Sequence, residues 1–145
     1  PSRRLDTVRA LTDAGIPTSV LMAPVIPGLT DHEIEKVMEA AAHAGATRAG
    51  GVLIRLPHEI KGLFEEWLRA HFPDRADKVL NHIRECRGGK LYNAEFGSRM
   101  RGTGVYADLI QNRLKMAVKR YGLDKPGQPL DSRQFRGGDP QMSLF

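Results

Sequence analysis

Apolar residues recur along this chain at two distinct periods, and the periods mark its elements. Leu5, Val8 and Leu11 repeat at helical spacing behind Ser2, whose hydroxyl suits an N-cap, and Gly15 offers the left-handed residue that ends such a helix. Thr18 to Ile26 is a short, largely apolar run closed by Pro24, Pro27 and Gly28, the pattern of a strand buried on both faces. Thr30 and Glu33 have capping-box spacing ahead of Ile34, Val37, Met38, Ala41 and Ala42, which predicts a helix stopped by Gly45. A second apolar strand is expected from Gly51 to Leu56, ended by Pro57. Helix, strand, helix, strand at this spacing predicts a βαβ unit with parallel strands and a right-handed crossover.

Two more stripes follow, Ile60, Leu63, Phe64, Trp67 and Leu68, then Ala76, Val79, Leu80 and Ile83, and both read as core faces. Residues 87–104 hold five glycines among Arg, Lys and aromatic residues, the composition of an irregular loop. Tyr106, Leu109, Ile110, Leu114, Ala117, Val118 and Tyr121 restore a helix that Gly122 closes, and Asp124 to Pro140 is polar, rich in Gly and Pro, and reads as a flexible tail. Two apolar parallel strands ask for neighbours on each edge. The expected architecture is therefore α/β, a slice of a larger barrel in residues 1–86 whose other strands precede Pro1. A basic loop and helix extension (87–122) and a tail (123–145) complete the expected organisation.

Composition narrows the picture. A hydrophobic fraction of 41% with 27% charged residues is that of a globular protein. No apolar run approaches the ~18 residues that cross a bilayer, so a membrane is not an expected partner. Cys86 is the single cysteine, which excludes an internal disulfide and points to a cytoplasmic setting; it reads as a packing residue. The net charge of +5 is concentrated: residues 84–120 hold nine Lys or Arg against three Asp or Glu, and the flanking segments are nearly balanced. Such a patch draws phosphate. Arg87, Lys90, Arg99 and Arg101 are the candidate nucleic-acid contacts, the alternative being a solvated basic surface.

No complete catalytic constellation is visible, and the five histidines show no ligand spacing. The strand ends carry more information, because parallel α/β folds bind ligands where strand C-termini meet the following loops. Arg55 closes an otherwise apolar strand, so it is either paired with a scaffold carboxylate or directed at an anionic ligand. Gly28 allows close backbone approach and Ile26 offers an apolar surface, although both also suit plain turn chemistry.

Several runs resemble a known family. Ser19-Val20-Leu21-Met22-Ala23-Pro24-Val25-Ile26-Pro27-Gly28-Leu29-Thr30-Asp31, preceded by Arg4-Leu5 and Ala14-Gly15-Ile16-Pro17, resembles the fifth strand and loop of radical S-adenosylmethionine (radical SAM) proteins. The similarity is greatest to the spore photoproduct lyase-like group, also called DNA repair photolyase-like. Ile54-Arg55-Leu56-Pro57, Phe64-Glu65-Glu66-Trp67-Leu68 and Gly97-Ser98-Arg99-Met100-Arg101-Gly102-Thr103-Gly104 resemble the same group. The resemblance implies the C-terminal βα units of a partial (β/α)6 radical SAM barrel with a helical C-terminal extension. It implies a lyase-like bacterial enzyme in DNA repair that cleaves S-adenosylmethionine at a 4Fe–4S cluster to give a 5′-deoxyadenosyl radical. The CxxxCxxC loop that ligates such a cluster is absent, so this chain alone is expected to bind neither cofactor and to be inactive without the N-terminal remainder of its barrel. In the family's G-x-I-x-G-x-x-E pattern the isoleucine packs on adenine. Ile26 and Gly28 match it, Pro24 and Asp31 depart from it, and the resemblance places Arg4 near the methionine carboxylate.

Gln141, Met142, Ser143, Leu144 and Phe145 resemble the peptide by which bacterial repair proteins bind the replication sliding clamp; the apolar pair Leu144 and Phe145 would fill the partner's pocket and Gln141 supply directional hydrogen bonds. The alternative to the enzyme is a basic nucleic-acid-binding or clamp-tethered module without catalysis of its own.

Overall fold

The computed structural model describes residues 2–127 together with Pro129 and Arg133. Helix α1 (Ser2–Asp13) leads into strand β1 (Ser19–Val25), and a single 3-10 turn (Asp31–Glu33) opens α2 (Ile34–His43). Strand β2 (Arg48–Leu53) follows, then α3 (Ile60–His71), α4 (Pro73–Glu85) and α5 (Val105–Arg120). β1 and β2 are parallel, with Ser19 opposite Arg48 and Met22 opposite Gly51, and the register shifts before Val25 meets Leu53.

The expected C-terminal units of a partial (β/α)6 barrel are not found. Among the described residues there is a two-stranded sheet with five α-helices around it, and no barrel. The far edge of β2 is already occupied, because Ala49 N–H donates to Leu123 O (3.0 Å), Leu53 N–H donates to Met100 O (3.0 Å), and Arg48 forms an antiparallel bridge with Asp124. Nor is β1 buried on both faces, since Leu21 is 63% exposed and Met22 and Val25 are its only buried residues. Leu123, where the tail was expected to begin, is buried in the core.

Two apolar clusters build the interior. One joins Met22 and Val25 of β1, Ile34 and Met38 of α2, Leu53 of β2, Cys86, and Ile110 and Leu114 of α5. The other gathers Ile26, Leu29, Ile54 and Leu56 from the strand-end loops against Leu68 of α3 and Val79, Leu80 and Ile83 of α4. The α3 stripe differs from its expected role: Leu68 is its one buried residue, and Ile60, Leu63 and Trp67 are exposed. The capping box differs too, because the Thr30 hydroxyl turns back to accept the Ile26 N–H at 2.9 Å and closes the loop after β1 instead of capping α2.

Strand β2 runs from Arg48 to Leu53 rather than from Gly51 to Leu56, so it starts and ends three residues earlier than expected, with Gly50 and Gly51 inside it. A side chain at Gly51 would lie 2.8 Å from Leu114 Cδ1, so the glycine is what lets α5 pack onto the sheet. Among the described residues no helix is long and apolar enough to cross a membrane.

Candidate functional site

Three of the runs that carry the family resemblance, residues 19–31, 54–57 and 97–104, meet at the C-terminal ends of the two strands, whereas Phe64–Leu68 lies on α3 and Arg4 on α1. Ile54 N–H donates to Val25 O at 2.9 Å, which holds the loop after β2 beside the loop after β1, and the Leu53 bond to Met100 lays the glycine-rich loop across the end of β2. Gly102, at φ +79°, sits so close that a Cβ there would lie 2.6 Å from Leu53 Cδ2 and 3.0 Å from Cys86 O. Ile26 O accepts the N–H groups of Leu29, Thr30 and Asp31, which folds Pro27–Asp31 into a tight turn with Gly28 at φ +73°.

Ile26 and Gly28 thus share one turn, but both are turned inward. Ile26 is buried against Ile54 and α4, and a Cβ on Gly28 would touch His82 Cδ2 at 3.1 Å. Arg4 is exposed on α1 and lines a separate groove of about 780 Å³ along β1 with Leu21, Pro24, Thr30 and Lys36. A second groove, about 520 Å³, lies at the opposite ends of the strands beside Ser19, Arg48 and Lys125.

Arg55 has no scaffold carboxylate among the described residues. Its Nη2 donates to the Tyr92 hydroxyl at 3.4 Å and its Nη1 reaches Met100 Sδ at 3.9 Å, both long contacts, while Nε is buried and meets no partner among the described residues. Beside it lies Arg87, 2% exposed, with Nη2 donating to Ile54 O (2.6 Å) and Leu53 O (3.3 Å) and Nη1 to Arg99 O (2.8 Å) and Ser98 O (3.3 Å). Burial, and then the neighbouring Arg55 charge, pull the Arg87 guanidinium below its usual pKa, although the nearby Cys86 and Tyr92 oppose the shift. Arg87 therefore serves the interior as a splint between β2 and the glycine-rich loop. The exposed cations of that segment are Lys90 and Arg101, and half-buried Arg99 lies 5.2 Å from the centroid of the Phe96 ring, itself 88% exposed.

A second polar cluster escaped the sequence reading. Tyr106 Oη donates to Asp31 Oδ2 at 2.7 Å, and its ring stacks on His82 with centroids 4.2 Å apart. Burial first, and the bond to Asp31 second, push the Tyr106 phenol up to about 12. Arg113 grips Glu35 with both Nε and Nη2, which raises the guanidinium pKa and holds the carboxyl below its usual range. Tyr92 and Tyr106 gave no signal in sequence because their partners lie far along the chain.

The donor set does not suit an iron–sulfur cluster. Cys86 is buried, with its thiol pushed up to about 11 chiefly by burial, and no group of three or more His, Cys, Asp or Glu among the described residues is arranged to hold a metal. Gln141, Met142, Leu144 and Phe145 lie outside the described residues.

The chain is 36% identical over 131 residues to uncharacterized proteins of Mycobacterium bovis and of two strains of Mycobacterium tuberculosis. The match covers 89% of this chain and 35% of each relative, so the chain spans about a third of the length of the curated relatives it matches. No family model matches it, and no solved structure matches it.

Proposed function

We propose that this chain is the C-terminal part of a radical SAM enzyme of the spore photoproduct lyase-like group, and that its strand-end loops form one wall of that enzyme's reaction chamber. The observation that supports this most is the convergence of three of the resembling runs, at residues 19–31, 54–57 and 97–104, on the C-terminal ends of two parallel strands. That end of a parallel α/β sheet is also where ligands bind.

On this reading the cluster ligands come from segments outside this chain, and the greater length of the mycobacterial relatives leaves room for them. S-adenosylmethionine and the cluster supply the radical chemistry; the residues here shape the chamber wall. Ile26 and Gly28 hold the loop after β1 against α4, and Arg55 presents charge at the end of β2. Cytoplasmic residence belongs to the same reading, in keeping with a single free thiol.

The test uses the longest natural protein that contains this chain, reconstituted anaerobically with iron and sulfide and then reduced with S-adenosylmethionine present. Formation of 5′-deoxyadenosine is expected. A protein that takes up no cluster and forms no 5′-deoxyadenosine overturns the reading.

A further inference from the structure

We propose that Arg55 and Tyr92, backed by the buried charge of Arg87, form a binding site for a dianionic oxyanion: inorganic phosphate or the phosphate of a phosphomonoester. This inference does not rest on the radical reading and survives its failure.

The case begins with unused donors. A guanidinium carries five N–H groups, and the two contacts Arg55 makes are a 3.4 Å bond to Tyr92 Oη and a 3.9 Å approach to Met100 Sδ, a weak acceptor. Its buried Nε has no partner among the described residues. Burying such donors without acceptors costs free energy, so a site that retains them is poised for an external acceptor.

Charge selects the ligand. The ion pairs among the described residues join other groups, and neither Arg55 nor Arg87 has a carboxylate partner. Four carbonyl dipoles solvate Arg87 but leave its unit charge uncancelled, and Arg55 is close enough to disfavour that charge further. Two like charges in a partly desolvated place are relieved best by two opposite ones. A carboxylate or a nucleic-acid phosphodiester brings one negative charge, whereas a phosphomonoester brings about −1.5 to −2 near neutral pH. The Tyr92 hydroxyl, which accepts from Arg55, keeps its own O–H to donate, and Met100, 40% exposed, leaves the site open to solvent.

Calorimetric titration of the full chain in phosphate-free buffer tests the site. Inorganic phosphate and glycerol 3-phosphate are the probes, with acetate and dimethyl phosphate, a phosphodiester, as monoanionic comparisons. At least one phosphate probe is expected to bind with a Kd of about 1 mM or tighter. Equal affinity for the two identifies the free ion as sufficient, and tighter binding of the ester identifies the phosphomonoester. Arg55→Gln should weaken binding at least tenfold, Tyr92→Phe a few-fold, and Lys115→Gln not at all, with unchanged circular dichroism in each. Lowering the pH to 5, where the ligand is a monoanion, should weaken binding as well. The proposal is overturned if neither inorganic phosphate nor glycerol 3-phosphate binds, if acetate or dimethyl phosphate binds as tightly, or if folded Arg55→Gln and Tyr92→Phe proteins both bind like the parent.

Discussion

The Tyr106 hydroxyl reaches Asp31 Oδ2 at 2.7 Å and so ties the first turn of α5 to the loop that ends β1. Asp31 is 7% exposed, and the hydroxyl is the hydrogen-bond donor that its side chain meets among the described residues. Tyr106→Phe leaves that carboxylate short of a donor in a nearly dry place. It is expected to destabilise the fold by about 1–3 kcal/mol in urea unfolding. A change below a few tenths of a kcal/mol would show that water replaces the hydroxyl at no cost.

The same bond has a pH signature. The Tyr106 phenol is raised from 10.0 to about 12 in the folded chain, so the native state holds this proton more tightly than the unfolded state does. Its stabilising contribution is complete below pH 10 and is lost as pH rises through about 12. Comparing unfolding free energies of the parent and Tyr106→Phe across pH 9 to 12 isolates it: the gap between the two proteins should narrow towards the alkaline end. A gap that stays constant refutes the assignment.

Arg87 holds four backbone carbonyls from two segments, Leu53 and Ile54 on one side and Ser98 and Arg99 on the other. Arg87→Met removes the donors and leaves those carbonyls to find water. A loss of about 3 kcal/mol is expected, since hydrogen bonds from charged groups contribute most and orphaned acceptors add a penalty. Arg87→Lys should recover only part of it, because a point charge lacks the planar fork. Amide exchange would then accelerate first at Leu53 and Gly102, whose N–H groups are bonded within this junction.

Gly102 is the tightest point of the same junction. Gly102→Ala would place a methyl 2.6 Å from Leu53 Cδ2 and 3.0 Å from the Cys86 carbonyl, at a φ of +79° that L-residues avoid. The expected cost is about 2 kcal/mol or more, while Gly88→Ala, also left-handed but with open space around it, should cost about 1 kcal/mol. Thermal melts of the two variants side by side decide whether close packing adds to backbone strain.

The chain expressed by itself should hold no stoichiometric iron after anaerobic reconstitution, since one buried cysteine cannot replace three thiolate ligands. Iron analysis with an assay for 5′-deoxyadenosine measures this. One 4Fe–4S cluster per chain would contradict it.

Much of the helical pattern was legible because it depends on neighbours along the chain: the stripes of α2, α4 and α5 each place buried residues at helical spacing. What stayed hidden depends on residues far apart. Gly50 gave no strand signal, and why Gly51 must be a glycine is hidden until Leu114 is seen filling the space beside it. Arg87 looks like one more surface cation until its carbonyl partners, 11 to 34 positions away, are known. The Thr30–Glu33 spacing is that of a capping box, but the hydroxyl has a competing donor in the Ile26 amide. In α3 the periodicity was sound and the inference of burial was not, because a helix shows where its apolar face is and not what lies against it. The strand-end position of Arg55 could be anticipated; the want of a carboxylate beside it among the described residues could not.

The burial of Cys86 also makes the chain a convenient host for spectroscopic probes. Its one native sulfhydryl is buried in the core cluster that holds Leu53 and Ala107 and stays in the unreactive protonated form at neutral pH. A cysteine introduced at an exposed position such as Phe96 or Lys115 would be the one thiol open to a maleimide dye. Labels placed one at a time on the untouched native background could then follow, in real time, how the loop over β2 responds when an anion arrives.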